Sequence, residues 1–426
     1  MSIRTLRSVG ILAAVLSAVL LPGSAPAYDY PFDDPFVATV VGTPSEFRPE
    51  LAVTVPLKRR SIKIFPDRET PELLFYDDKL RYSYALQKDP APLVFIIAGT
   101  GGSHDGRGVR QLGRAFYQAG FHYVGLTSPT HSNFIVAASE SSVPGHAYED
   151  AEDLYRVMER IWEKIGRKVT VTDFFLTGYS LGAFNTAFVA KLDEERQSFR
   201  FRRALMINSP VRLYSSISLL DRMLENIPGG EDNFGQFYQN LVDAFAEVYT
   251  RSDELQLNED FLYQAYKVFK PEKELLGALI GTSFRMSAAN MAFSSDLMTN
   301  FGYIKPSNVR LPKNADLAKF NHVAMRLGFT DYFHAYFYPY HRAKTPTMSR
   351  ADLIEEMSLK SIEDYLRTSD RMYAMHNEDD LILEPGEVEF IRDVFGDRAM
   401  IYRNGGHMGN IQHRELVEHM VQVFQP

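Results

Sequence analysis

The sequence predicts an α/β protein, a mostly parallel sheet covered by helices and interrupted by one large helical insertion. Three observations carry this. Short apolar runs alternate with helical periodicity from residue 93 to residue 208. From 211 to 369 the pattern is helical only, and after 370 the alternation resumes. Strands separated by helical stretches of about 10–15 residues read as βαβ units whose strands lie side by side, buried on both faces.

The elements follow in order. Residues 28–50, rich in Pro, Asp and aromatics, show neither period and read as a surface arm. Strands are expected over 52–55, 61–65 and 80–86, where apolar and polar residues alternate. A continuous apolar run at 93–97 ends in Ala98-Gly99-Thr100-Gly101-Gly102 and marks a central strand. A helix with apolar positions Leu112, Phe116 and Ala119 follows, then strand 122–126, helix 148–165, strand 173–177, helix 181–192 and strand 204–208. The insertion carries helical patterns at 217–224, 234–248, 261–269, 275–286 and 351–365, broken at Pro228-Gly229-Gly230 and across 302–312. Strand 371–375, helix 386–394, strand 399–402 and helix 412–424 complete the chain. The expected organisation is 1–27 as a signal peptide, 28–50 as an arm, 51–210 and 370–426 as two parts of one core, and 211–369 as a cap or lid.

Composition excludes several classes. The 426 residues are 45% hydrophobic and 23% charged, which rules out a disordered or fibrous chain. A net charge of −8 with no long Lys/Arg block excludes a nucleic-acid footprint. The absence of cysteine removes disulfides, thiolate catalysis and cysteine-ligated metals. Arg4 and Arg7, the apolar run 9–21 and the triplet Ala25-Pro26-Ala27 have the layout of a cleavable secretory signal. The expected protein is periplasmic or secreted and begins at Tyr28.

The chemistry centres on Gly178-Tyr179-Ser180-Leu181-Gly182, placed where strand 173–177 turns into a helix. A serine hydroxyl must protrude from a tight strand-to-helix turn to meet both substrate and base, and its glycine neighbours clear the space. His407 lies in the Gly-rich loop Asn404-Gly405-Gly406-His407-Met408-Gly409, directly after the last strand. His413 and His419 fall in the final helix, where a packed or solvated role is expected. Glu378, Asp379 and Asp380 follow the strand at 371–375.

On these residues the chain resembles the α/β-hydrolase superfamily, in its serine esterase and lipase-like form. The resemblance covers most of 51–426 as architecture and rests on the Ser180 pentapeptide, on 98–102, on the Asp379 region and on His407. It implies an α/β-hydrolase fold with a helical cap, and a triad in the order nucleophile, acid, histidine. The roles implied are Ser180 as nucleophile, His407 as base and Asp379 as the orienting acid. Asp379 stands four residues after the last buried strand position, with Asp380 next in line and Glu378 third. The oxyanion donors implied are the backbone N–H of Leu181 and of Thr100, with Gly101 close behind. His104, His131 and His376 are expected to be loop or hydrogen-bonding histidines.

The implied activity is carboxylic ester hydrolysis of carboxylesterase or lipase type through an acyl-enzyme, with no cofactor and no metal. A thioesterase, an acyltransferase or a non-catalytic binding protein of the same fold are the alternatives. The expected partner is a small-molecule or lipid acyl ester, with transient membrane-surface contact through the cap. Most of the aromatics at 329–340, with Met286, Met291 and Met298, are expected to form the cap's own core. The remainder would wall an acyl pocket.

Overall fold

The computed structural model describes residues 28–51, 54–240, 243 and 260–425. The expected signal peptide and half of the expected strand at 52–55 lie outside these residues, and 54–55 form no strand. One eight-stranded sheet has the order β1-β2-β4-β3-β5-β6-β7-β8. β1 (Lys58–Ile62) and β2 (Leu80–Ala85) pair antiparallel, and β2 meets β4 (His122–Leu126) antiparallel. β3 (Ala91–Ile97), β4, β5 (Val171–Tyr179), β6 (Arg203–Ile207), β7 (Met372–Asn377) and β8 (Ala399–Tyr402) run parallel.

The central strand shows why a continuous apolar run was required. Leu93, Phe95 and Ile97 point to one face and Val94 and Ile96 to the other, because successive side chains alternate across a sheet. The first face is covered by α4 (Ala147–Ile165) and α5 (Leu181–Arg196), through residues such as Leu154 and Phe184. The second is covered by α2 (Arg107–Gln118) and α15 (Arg414–Phe424), through Phe116 and Phe424, whose rings stack. β1 is an edge strand. Its exposed Lys58, Arg59 and Arg60 sit where charge discourages pairing with another chain.

The arm is not featureless. Asp34 caps a short helix, α1 (Pro35–Val41), accepting from the N–H groups of Phe36 and Val37 at 2.8 and 3.1 Å. Asp followed by Pro is an N-cap and first-turn signature that works without any apolar period.

Among the described residues the insertion is helical, from α6 (Leu213–Arg222) and α7 (Phe261–Phe269) to the 27-residue α8 (Lys273–Thr299) and α9 (Ala318–Ala324). α10 (Phe329–Tyr332) passes through one π-helical turn, Phe333–Phe337, into α11 (Tyr338–Lys344). α12 (Arg350–Glu356) follows a Ser349 capping box. The ends of this segment lie side by side: Leu213 N–H donates to Met357 O, and Leu359 N–H to Val211 O. That closure interrupts the helix expected over 351–365. Beyond it, Leu359, Ile362 and Leu366 pack with the sheet, on and before α13 (Glu363–Thr368), not with the insertion's core, and α14 (Glu387–Phe395) follows β7.

Candidate active site

Ser180 stands between β5 and α5 with φ 54° and ψ −127°, a conformation disfavoured for any residue with a Cβ. Close packing enforces the turn. A Cβ on Gly178 would come within 2.2 Å of Gly182 O, and one on Gly182 within 2.3 Å of Ile97 O. Ser180 N–H donates to Ile207 O at 2.9 Å, tying the turn to the end of β6. The hydroxyl is therefore held where β5 stops and α5 starts, with the N–H of Leu181 in the first helical turn, where helices leave donors without intrahelical partners.

His407 reaches this hydroxyl from the loop after β8. Its Nε2 lies 2.9 Å from Ser180 Oγ, and its Nδ1 lies 3.0 and 3.1 Å from the two oxygens of Asp380. Asp380 also accepts from Asn208 Nδ2 at 2.8 Å and from Ile382 N–H at 3.1 Å, and its side chain is fully buried. Burial alone would raise its carboxyl. The charge and hydrogen bond of His407, with His376 and Asn208 behind them, outweigh burial and hold it below the ordinary carboxylate value.

This corrects the expected acid. Asp379 does not touch the imidazole; it accepts from Gly405 N–H at 3.2 Å and Gly406 N–H at 2.9 Å, and so grips the loop that carries His407. Burial raises its carboxyl against those two bonds, and repulsion from Asp380 adds to the rise. β7 does not end at its last apolar residue, Met375. β7 pairs onward through buried His376 and Asn377, which face Ile401 and Tyr402, and this extension moves the count past Asp379.

The His407 loop is held from several sides. Asn377 Nδ2 donates to Gly406 O and to Asn410 Oδ1, at 2.8 and 2.9 Å. The arm supplies the rest. His407 N–H donates to Thr39 Oγ1 at 2.9 Å, Thr43 Oγ1 donates to Gly409 O at 2.8 Å, and Tyr28 Oη donates to Asn404 O at 2.8 Å. His413, placed in the final helix by the sequence, instead precedes α15, its Nε2 bonded to Asp29 at 2.8 Å. None of these arm contacts was legible beforehand, because they join residues more than 360 positions apart.

Thr100 lines the space around Ser180. The N–H of Gly101, its runner-up, is engaged by Thr130 Oγ1 at 2.9 Å. His376 sits beneath the acid, Nε2 2.9 Å from Ser209 O, and His131 caps α3 (Ser132–Ala137). His104 is buried away from Ser180 near Arg59 and Arg81. No group of three or more His, Asp or Glu able to hold a metal occurs among the described residues.

Two cavities meet at Ser180, sharing Thr100 and Phe284. One is a narrow slot of about 80 Å³, walled by Leu213, Ile217, Leu220, Met291, Phe333 and Phe337 among others, almost all apolar. Of the aromatic stretch, Phe329, Tyr332, Phe333 and Phe337 reach this slot, whereas Tyr336 packs within the insertion against Phe301 and Tyr303. The other, about 290 Å³, opens on the His407 side and is bounded by the arm and by α2.

No protein-family model and no curated protein matches the chain. Among solved structures it is similar to epoxide hydrolases from metagenomes of hot environments, with 14% identity and a TM-score of 0.38 over 88% of this chain and 99% of that one. It is similar to a bacterial membrane phospholipase A at 15% identity and a TM-score of 0.41, over 86% and 85% of the two chains. A third likeness is to an esterase of the archaeon Pyrobaculum calidifontis, with 14% identity and a TM-score of 0.38 over 86% and 81%. None of the three bears on the reaction. The sheet order, the strand–serine–helix turn and the succession Ser180, Asp380, His407 along the chain give this protein an α/β-hydrolase fold carrying a helical insertion.

Proposed function

We propose that the protein is an exported serine hydrolase that cleaves carboxylic esters. The observation that supports this best is the hydrogen-bonded chain Ser180–His407–Asp380 at the mouth of an apolar slot. His407 Nε2 takes the Ser180 proton as Oγ attacks the ester carbonyl, forming a tetrahedral intermediate. The oxyanion is received by the N–H groups of Leu181 and Thr100. Asp380 keeps Nδ1 protonated and stabilises the imidazolium without taking its proton. Collapse expels the alcohol, which leaves with the proton from His407, and water then attacks the acyl-enzyme by the same route. Export rests on the signal-like pattern of residues 1–27.

A slot of about 80 Å³ suits an unbranched acyl chain better than a branched or aromatic acid. The test is a panel of p-nitrophenyl esters from acetate to palmitate. Each methylene buried is worth about 0.8 kcal/mol, so kcat/KM should rise about fourfold per methylene until the slot is full. Ile217→Trp, which narrows the slot, should lower kcat/KM on octanoate by about tenfold or more relative to acetate. A flat profile in the wild type would remove the acyl-slot reading, and no cleavage of any ester would remove the esterase reading.

A further inference from the structure

α1 lies between the His407 loop and the insertion, and its two sides are built for different neighbours. At 3.6 residues per turn, Pro35, Ala38 and Thr39 fall on one side and Phe36, Val37, Val40 and Val41 on the other. On the loop side Thr39 Oγ1 accepts the His407 N–H at 2.9 Å while donating to Pro35 O at 2.6 Å. The fit there is close. A Cβ on Gly406 would collide with Pro35 O and Thr39 Oγ1, and one on Gly409 with Ala38 O. Gly406 also has φ 55°, where glycine is favoured. The glycines on either side of His407 thus clear the space that α1 occupies. On the far side Val37 and Val41 are buried with Leu276 of α8, and Phe36 and Val40 pack against the cluster that holds Ile280, one turn further along. Gly277 keeps the helices near each other: a Cβ there would stand 3.3 Å from the Phe36 ring.

We propose that α1 ties the insertion to the base: Thr39 is a positioning residue for His407, kept in place by the seat of α1 on α8. The proposal rests on the serine-hydrolase reading above and adds how its base is held. Coupling of this kind is carried by packed side chains and hydrogen bonds in series, here Leu276 to Val37 and Val41, then Thr39 to His407. A displacement of about 1 Å at the reacting groups can cost about 10²-fold in rate, so the imidazole serves Ser180 fully only while the insertion is seated.

Thr39→Val keeps the shape of the side chain and removes the acceptor. It should lower kcat on p-nitrophenyl acetate by about 10- to 100-fold with little change in KM, and slow fluorophosphonate labelling of Ser180 by the same factor. Thr39→Ser, which keeps the hydroxyl, should restore both to within about threefold of the wild type. Thr39 also lines the wider cavity, whereas Leu276 lies outside the lining of both. Leu276→Ala should nevertheless lower kcat and labelling by about tenfold, and the double variant should be little slower than Thr39→Val, because both act through one contact. If circular dichroism shows Leu276→Ala unfolded, Leu276→Val takes its place. Wild-type labelling in Thr39→Val or in the folded Leu276 variant, or losses at the two positions that multiply, would overturn the proposal. A wild type that does not label counts against the serine-hydrolase reading instead. Hydrogen exchange in the full-length protein then decides the tie alone. Faster exchange of residues 404–410 in the Leu276 variant, with 93–97 unchanged, supports it, and equal exchange at 404–410 overturns it.

Discussion

Asp380→Asn is expected to lower kcat by about 10³–10⁴-fold, whereas Asp379→Asn should stay within about tenfold of the wild type. The two carboxylates are neighbours in sequence and do different work. Asp380 faces His407 Nδ1 at 3.0 Å, so its amide presents the wrong hydrogen-bonding partner and turns the imidazole to the tautomer that cannot accept the Ser180 proton. Asp379 holds two loop N–H groups, and an asparagine oxygen can still accept one of them. Its loss loosens the His407 loop, which should appear as a lower melting temperature accompanying a modest fall in kcat. Steady-state kinetics on p-nitrophenyl octanoate, with circular dichroism to confirm folding, separates the two. Equal losses, or a larger loss at Asp379, would contradict the assignment of Asp380 to the imidazole.

The largest stability effect is expected in the insertion, at Asp296. This buried carboxylate near the end of α8 accepts four backbone N–H bonds, from Gly302 and Tyr303 at 2.8 Å and from Ile304 and Lys305 at 3.0 and 2.9 Å. It folds the turn after the helix into a cage around one charge. Asp296→Ala leaves up to four donors unmatched. At about 1–3 kcal/mol for each buried group, with water reaching some of them, a net loss of about 4 kcal/mol is expected in urea unfolding. Asp296→Asn keeps one acceptor oxygen and should lose about half as much. Ile304 belongs to the apolar cluster that includes Phe333 and Phe337, so the alanine variant should also raise KM for octanoate more than for acetate. A change below about 1 kcal/mol would contradict this account of the turn.

What was legible in the sequence is what local pattern encodes. The apolar runs of β3 to β6 and the glycine-flanked Ser180 sit where periodicity and turn chemistry put them, because buried strands and tight turns restrict residue type locally. His407 was legible through its Gly-rich loop after the last strand. The acid was missed by one position because β7 continues through two buried polar residues, His376 and Asn377, which pair with Ile401 and Tyr402 although neither is apolar. The helix expected over 351–365 breaks at Met357–Leu359 because that stretch bonds to Val211 and Leu213, a tertiary demand that no local window contains. α8 runs to Thr299, well beyond the expected end at 286, carried by small residues such as Ala288, Ala289 and Ala292 packed inside the insertion. The arm's grip on the His407 loop is likewise a long-range fact, although Asp34-Pro35 did announce its helix.

The central claim is that Ser180 is a nucleophile activated by His407. Intact-mass measurement of the protein after exposure to a fluorophosphonate tests it most directly. The wild type should gain one phosphonyl adduct, mapped by peptide analysis to Ser180, and Ser180→Ala should gain none. His407→Ala should label several orders of magnitude more slowly, since the hydroxyl loses its base. An unmodified wild-type protein, or an adduct on another residue that persists in Ser180→Ala, would contradict the account.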